Sequence, residues 1–387
     1  MSGKQATGFP AVGVLAIRAD ASVERGIGHV MRCFALADAW QASGGEAVFL
    51  SHEMPDALSE MLSKSNIKIY SLTDPDSSTG NILDWLLRNK PGWLVFDGYQ
   101  FEYDEIELLA RAGSWRTMVI EDWPTNDSVA RSADVDVLLD QNVYANQSIY
   151  SGAATELLLG SSYALLRKEF GEGSEVRIPG AQVSNLLIMF GGSDPANLTA
   201  RAIEALNQNV SDHVNQDLTV DVIVGALNQN LEEIQQLAEN SPFQVTLHQQ
   251  CYEVSRLMKQ ADLAISAAGS TCHELAACQV PFIAVPVADN QEPVAAGFAE
   301  LGIARVCRYS RNQNNCEFVE RLQNQLQDLF EDYPLRCRMS RLAGQLIDGQ
   351  GANLVVQKLM EFKKCRPIQN SKTRAVRAKA AQAGDPL

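Results

Sequence analysis

Short runs of uninterrupted apolar residues recur along this chain, each followed by a glycine-bearing turn or an amphipathic stretch. The first is VGVLAIRAD, residues 12–20. A run of this length without polar alternation marks a strand buried on both faces, which implies a parallel sheet covered by helices. Behind it comes a turn, Gly26-Ile27-Gly28, and then a helical pattern with Val30, Cys33, Phe34, Ala37 and Trp40 on one face. Gly44-Gly45 stops that helix, and EAVFLS (46–51) reads as the next strand. WLVFDGY (93–99), RTMVIED (116–122) and VDVLLDQN (135–142) continue the series, with helical stretches such as FEYDEIELLARAG (101–113) between some of them. Alternation of this kind predicts an α/β domain built on a parallel sheet.

The series is interrupted at EFGEGSEVRIPGAQVS (169–184), which is charged, rich in glycine and proline, and without periodicity. A second series follows. Its predicted strands are NLLIMF (185–190), LTVDVIVG (218–225), FQVTLH (243–248), DLAISAAG (262–269) and PFIAVPV (281–287). Its predicted helices are PANLTARAIEALNQ (195–208), LEEIQQLAE (231–239), EVSRLMKQA (253–261), STCHELAAC (270–278) and EPVAAGFAELG (292–302). From 318 to 362 the pattern is helical, broken near Pro334 and Gly349-Gln350-Gly351. The fold class expected is therefore α/β, with two Rossmann-like doubly wound domains facing across a cleft. The expected boundaries are 1–170 and 171–365, followed by a basic, alanine-rich tail (366–387) read as disordered. At 387 residues and 46% hydrophobic, the chain has ample apolar content for two cores.

Composition narrows the class of partner. A formal net charge of −15 leaves no basic field wide enough to hold nucleic acid or an acidic membrane. The eight cysteines are scattered without a Cys-x-x-Cys pair, which fits reduced thiols in a cytoplasmic protein better than disulfides or zinc. No two histidines stand at metal-ligand spacing, so no metal is expected. The apolar stretch FPAVGVLAI (9–17) is too short to span a bilayer and runs into Arg18 and Asp20, so membrane insertion is not expected. What remains is a small-molecule ligand, bound beyond the carboxyl ends of the strands.

Three strand-glycine-helix junctions could hold such a ligand. They are GIGHVMRC (26–33), FGGSDPANLT (190–199) and AAGSTCHE (267–274). Small residues let a ligand approach the backbone, and free N–H groups at a helix start favour a phosphate. None has the lysine of a P-loop or the third glycine of the dinucleotide fingerprint. In the second junction Ser193 or Asp194 is expected to cap a helix with Pro195 at its first position. In the third, Glu274 three residues after Thr271 fits either a capping box or a carboxylate that accepts ribose hydroxyls. ADNQEP (288–293) places Asn290 and Gln291 just after a strand. His29 stands apart from the other four histidines because it combines a glycine approach with a titratable ring at a helix start. A neutral imidazole there has the form a general base requires, and a histidine that merely caps its own turn fits the residues equally well.

Taken together, IRADAS, GIGHVMRCFALA, FDGY, LLDQN, YALLRKEF, FGGSDPANLT, AISAAGSTCHELAACQVPFIAV and NQEPVA resemble one enzyme family in matching order across roughly 14–302. It is the UDP-2,4-diacetamido-2,4,6-trideoxy-β-L-altropyranose hydrolases of pseudaminic acid biosynthesis, with relatives among spore-coat polysaccharide proteins. The resemblance implies a MurG-like GT-B fold that needs no cofactor. It implies a UDP-sugar substrate cleaved to UDP and free sugar, with His29 activating the attacking water. It also implies that Gly192, Ser193, Ser270 and Thr271 hold the diphosphate and Glu274 the ribose, with Asn197, Asn290 and Gln291 nearby. Asp20, Gly28, Arg32 and Tyr99 would belong to the sugar side. Arg18, Arg32 and Arg167 are the cations expected to balance the dianionic leaving group. The chain departs from the family pattern at Ala268, at Glu121-Asp122-Trp123 and at His273. A GT-B glycosyltransferase using a similar nucleotide sugar is the alternative.

Overall fold

A computed structural model describes residues 12–22, 26–72, 78–122, 134–150, 156–171, 177–208, 217–249, 251, 253–310 and 315–362. The basic tail, Trp123 and His213 lie outside the described residues. The chain divides into two compact units. One comprises the chain up to Gln141, Ala145–Leu159 and the residues from Ala352 on, and the other comprises Asn142–Tyr144 and Gly160–Gly351.

The described residues of the first unit form seven strands: β1 (Val14–Arg18), β2 (Glu46–Ser51), β3 (Lys68–Ser71), β4 (Trp93–Asp97), β5 (Arg116–Ile120), β6 (Val137–Asp140) and β7 (Glu156–Leu159). Their order is β3-β2-β1-β4-β5-β6-β7, and every pairing is parallel. Helices α1 (Gly28–Ala42), α2 (Asp56–Lys64), α3 (Ser78–Asn89) and α4 (Tyr103–Arg111) supply the crossovers. The apolar runs were indeed sheet interior: Leu15, Ala16, Ile17, Leu94 and Val95 have no exposed surface. α1 is buried almost all round, including Val30, Cys33, Leu36, Ala37 and Trp40. Its end is fixed by a close fit, because a Cβ at Gly45 would collide with the Trp40 ring. The Trp40 indole N–H donates to the Gly13 carbonyl at 3.0 Å.

The second unit repeats the plan with β8 (Asn185–Met189), β9 (Thr219–Val224), β10 (Gln244–Gln249), β11 (Leu263–Ala267), β12 (Phe282–Val285) and β13 (Ala304–Val306). The order is β10-β9-β8-β11-β12-β13, again all parallel. Its helices are α5 (Lys168–Gly171), α6 (Leu198–Gln208), α7 (Leu231–Glu239), α8 (Val254–Gln260), α9 (Thr271–Ala277), α10 (Glu292–Glu300), α11 (Asn315–Glu331) and α12 (Tyr333–Leu346). The fully buried Arg336 secures the end of α11 by donating to the carbonyls of Leu329 and Phe330, and it ties in Gly180 and Ala181 of the connecting segment.

The two units differ from the boundaries read in the sequence at two places. The first sheet closes at Leu159, ahead of the expected boundary at 170. The last helix among the described residues, α13 (Gly351–Glu361), belongs from Ala352 on to the first unit although it ends the second series of the sequence. Side-chain packing explains this return. The Arg116 guanidinium lies against the rings of Trp93 and Phe362, at 5.7 and 5.1 Å from their centroids, and bonds to the Phe362 carbonyl. Such a long-range clasp is invisible to local periodicity.

Each sheet reverses its winding once, between β1 and β4 in the first unit and between β8 and β11 in the second. At such a point the loops leaving the two neighbouring strands diverge and open a crevice at the carboxyl edge. The glycine junctions at 26–28, 190–192 and 267–269 all follow one of these four strands.

Candidate active site

In the first unit β4 ends at Asp97, one residue beyond the paired Arg18 and Phe96. This places its carboxylate beside the start of α1. Gly26 adopts a left-handed backbone (φ 75°) and donates its N–H to the Ser22 carbonyl at 2.9 Å, closing the turn from which the helix starts. The cap residue, Ile27, provides no side-chain bond, and the first turn holds no acidic residue. His29, Arg32 and Cys33 share one face by their i, i+3, i+4 spacing, and all three reach Asp97.

The geometry is tight. His29 Nδ1 lies 2.8 Å from Asp97 Oδ1. Arg32 donates from Nε to Asp97 Oδ2 at 2.7 Å, from Nη2 to Asp97 Oδ1 at 2.6 Å, and from Nη1 to Asp122 Oδ1 at 2.5 Å. Cys33 Sγ donates to Asp97 Oδ2 at 3.2 Å, and Tyr99 donates its hydroxyl to Asp122 Oδ2 at 3.1 Å. The Tyr99 ring stands edge-on to the imidazole, with centroids 4.9 Å apart. Burial by itself would raise the Asp97 carboxyl, but the adjacent Arg32 and His29 outweigh it and hold the group far below the ordinary carboxylate range. Asp122 is lowered in the same way, with burial again opposed chiefly by Arg32. The burial that would weaken the Arg32 charge is outweighed by the two carboxylates, which keep it protonated. The His29 side chain is 13% exposed, while Asp97 is fully enclosed.

Thus His29, Arg32 and Tyr99, named from the sequence, come together around two carboxylates that were not singled out as ligands or partners. Gly28 is the first residue of α1. Asp20 belongs to a neighbouring cluster. Its Oδ1 accepts from Arg18, the Ser51 hydroxyl and the His52 N–H at 2.7, 2.9 and 2.8 Å, and its Oδ2 accepts from Gln100 at 3.1 Å. Burial opposes ionisation, yet these donors, Arg18 first, hold its carboxyl down at about 2. With both oxygens engaged, Asp20 ties the loops after β1, β2 and β4 together. The signal for Asp97 was the strand-end FDGY itself. Nothing in its neighbourhood, however, shows which residues 64–68 positions away it meets.

In the second unit the turn after β8 has Gly191 at φ 79°, and nothing lies within 4 Å of a Cβ built on Gly191 or Gly192. The backbone there is open to a ligand. The helix behind it begins later than the sequence suggested, at Leu198, so Pro195 lies in the turn rather than at the first helical position. Asp194, not Ser193, makes the cap, accepting from the N–H groups of Leu198 and Thr199 at 2.9 and 2.8 Å. The Ser193 hydroxyl has no partner among the described residues. Asn197 adopts φ 50° and donates its amide to Glu233 at 2.8 Å, which ties it to α7. Gly225 braces the turn from below. A Cβ there would fall 2.1 Å from the Gly192 carbonyl oxygen, and Leu227 donates its N–H to that same oxygen at 3.1 Å.

At the start of α9, Ser270 is the cap residue but makes no side-chain cap bond, so the capping-box alternative for Glu274 is not realised. Among the described residues, the Ser270 and Thr271 hydroxyls and the Glu274 carboxylate have no hydrogen-bond partner. Burial pushes the Glu274 carboxyl up to about 7, with Arg167 opposing and Glu169 adding to the rise. Gln291 lies beside the same turn, with its amide nitrogen 3.7 Å from a Cβ built on Gly269 and its amide oxygen accepting from the Val287 N–H at 3.1 Å. Asn290 shares the 3-10 turn Asp289–Gln291.

One expectation is corrected. The three arginines that were to balance a dianionic leaving group are already matched: Arg18 with Asp20, Arg32 with Asp97 and Asp122, and Arg167 with Glu169 at 2.9 Å. His273, where the chain departs from the family pattern, is 1% exposed and packs edge-on to Phe298 at 5.2 Å. The ring is drawn inward because α10, which carries Phe298, packs over this side of α9.

Two Rossmann-like α/β units of this kind define the fold class of the GT-B enzymes. Residues 186–347 match the Glycosyltransferase family 28 C-terminal domain. Among curated proteins, the chain is 23% identical over 288 residues to the UDP-2,4-diacetamido-2,4,6-trideoxy-beta-L-altropyranose hydrolase of Campylobacter jejuni, covering 74% of this chain and 96% of that one. It is 28% identical over 205 residues to the spore coat polysaccharide biosynthesis protein SpsG of Bacillus subtilis, covering 52% of this chain and 58% of that one. The chain spans about half the length of the first curated relatives it matches, 54% and 58%. Among solved structures, Acinetobacter baumannii MurG superposes with a TM-score of 0.65 at 20% identity, over 90% of this chain and 99% of that one. Among the described residues no helix is long and apolar enough to cross a membrane.

Proposed function

We propose that this protein is a nucleotide-sugar hydrolase that releases UDP and free sugar from a UDP-linked 2,4-diacetamido-2,4,6-trideoxyhexose. The observation that carries the reading is His29: its Nδ1 is engaged by Asp97, while Nε2 has no partner among the described residues. A ring so held presents one basic nitrogen, and a general base must reach the proton it abstracts with such an atom. In the proposed reaction Nε2 takes a proton from water, and the water oxygen bonds to the anomeric carbon. The bond from that carbon to the β-phosphate oxygen breaks, and its electron pair leaves with UDP. Gly192, Ser193, Ser270 and Thr271 of the second unit bind the diphosphate through N–H and hydroxyl donors, and Glu274 accepts the ribose hydroxyls. Tyr99 and Arg32 border the sugar, and Asn290 and Gln291 flank the diphosphate turn. The named hydrolase relative supports the substrate class.

The match to a family 28 glycosyltransferase domain favours a second reading, transfer of the same sugar to an acceptor. Incubation with the UDP-sugar alone, followed by quantification of UDP and free sugar, separates the two. Release without acceptor is expected, and release only on adding an acceptor would establish the transferase. In the hydrolase, His29→Ala is expected to lower turnover by about 10²–10⁴-fold while UDP affinity stays unchanged.

A further inference from the structure

We propose that Asp97 is a positioning residue: it accepts the Nδ1 proton of His29 and so fixes the tautomer whose Nε2 is free to take a proton from water. The kinetic part of this inference rests on the hydrolase reading, whereas the tautomer is a property of the resting protein.

The argument starts from the donors around Asp97. Four atoms approach its two oxygens within 3.2 Å: His29 Nδ1, Arg32 Nε, Arg32 Nη2 and Cys33 Sγ. An arginine can only donate, so each oxygen already faces a fixed donor and the carboxyl has no room for a proton of its own. An ionised carboxylate can only accept, so the imidazole nitrogen at 2.8 Å must carry hydrogen. Arg32 Nη2, which donates to Oδ1 at 2.6 Å, also lies 3.1 Å from the same nitrogen and would be its donor in the other tautomer; the shorter contact of Nδ1, at 2.8 Å, is with the ionised carboxylate. Were Nδ1 unprotonated, it would turn its lone pair toward the carboxylate 2.8 Å away, and the longer bond from Arg32, already given to Oδ1, would have to offset that repulsion.

Asp122 completes the arrangement. By accepting Nη1 of Arg32, it holds the guanidinium plane so that the other two nitrogens point at Asp97. The ring is gripped from the side as well, by the edge-on Tyr99 that donates to Asp122. Two carboxylates against one guanidinium leave the group at a net charge of −1. A proton arriving on Nε2 therefore brings the cluster to neutrality, and the positive ring is compensated inside the protein rather than by water. This balance is shared by residues from the ends of β4 and β5 and the first turns of α1, which only the folded sheet brings together.

The test is ¹⁵N NMR of the histidine rings in protein labelled with [¹⁵N]histidine, at a pH where imidazoles are neutral, with His29 assigned by loss of its signals in His29→Gln. The expected spectrum has a protonated Nδ1 and an unprotonated Nε2. A His29 whose Nε2 carries the proton overturns the proposal, whatever the activity. In Asp97→Asn the ring is expected to shift toward the Nε2–H tautomer. There kcat is expected to fall by about 10²–10⁴-fold with KM within about threefold of wild type. Retention of both the tautomer and kcat in that variant also overturns the proposal. If Asp97→Asn does not fold, the wild-type spectrum alone decides. A wild-type protein with the expected tautomer that releases no UDP would refute the hydrolase reading and leave the role of Asp97 intact.

Discussion

The starts of α1 and α9 are alike in sequence, a glycine turn after a buried strand followed by small and polar residues, yet the structure treats them in opposite ways. At α1 every named polar group except His29 Nε2 is engaged, the Asp97 carboxyl is held far below its ordinary range, and that of Asp122 is lowered. At α9 the Ser270, Thr271 and Glu274 side chains have no hydrogen-bond partner among the described residues, and the one carboxyl is raised to about 7. A group that is satisfied before any ligand arrives serves geometry. A group that is buried at a cost and left unsatisfied is available to a ligand that can pair with it. The first unit is thus preorganised around one basic atom, and the second keeps its donors and acceptor open.

Replacing Arg32 by leucine strikes the comparison hardest. It leaves Asp97 and Asp122 buried without their cation, and breaking a buried charge network from one side costs about 3–5 kcal/mol. Urea unfolding should show a loss of that size. A loss below about 1 kcal/mol would mean that the α1 cluster is no more committed than the α9 groups. Gly225→Ala sharpens the other side. The added Cβ would strike the Gly192 carbonyl, so the turn must shift, at roughly 1–3 kcal/mol. UDP binding by calorimetry should weaken while the His29 ring signals remain unchanged. Loss of the His29 signature would show that the two regions are not independent.

The smallest effect is expected from Glu274→Gln. An unfolded glutamate titrates near 4.5, whereas in the fold this carboxyl is raised to about 7, so between these values the folded protein keeps a proton that the unfolded chain has lost. Stability therefore falls as pH rises through that window. Glutamine removes the penalty. The variant should match wild type in thermal unfolding at pH 5 and exceed it at pH 8 by on the order of 1 kcal/mol, after allowance for the partial solvent contact of Glu274. A variant that is less stable at pH 8 would show that the ionised carboxylate is satisfied in the free protein.

Much of the fold was legible in the chain because the interior of a parallel sheet demands continuous apolar runs. LEEIQQLAE matched α7 residue for residue, whereas the break at 169–184 lies past the division between Leu159 and Gly160. The face read from local spacing was the apolar one through Val30 and Cys33, and the grouping of His29 and Arg32 with Cys33 came only from their shared partner Asp97. The start of α6 was misplaced because Asp194 and Asn197 take left-handed backbone, a choice that proline and helix propensity nearby did not signal. The return of α13 to the first unit depended on Arg116, Trp93 and Phe362, which meet only after folding.

By itself, then, the sequence determined that the chain would form two α/β units, where their glycine turns would lie, and that His29 would stand at a helix start. Strand order decided the rest. Pairing β1 with β4 set the end of one strand against the helix that follows the other, so Asp97 met His29 across 68 residues and Asp122 met Arg32 across 90. Local spacing cannot encode such meetings, because they follow from the register of a sheet whose strands are neighbours in space and distant in sequence.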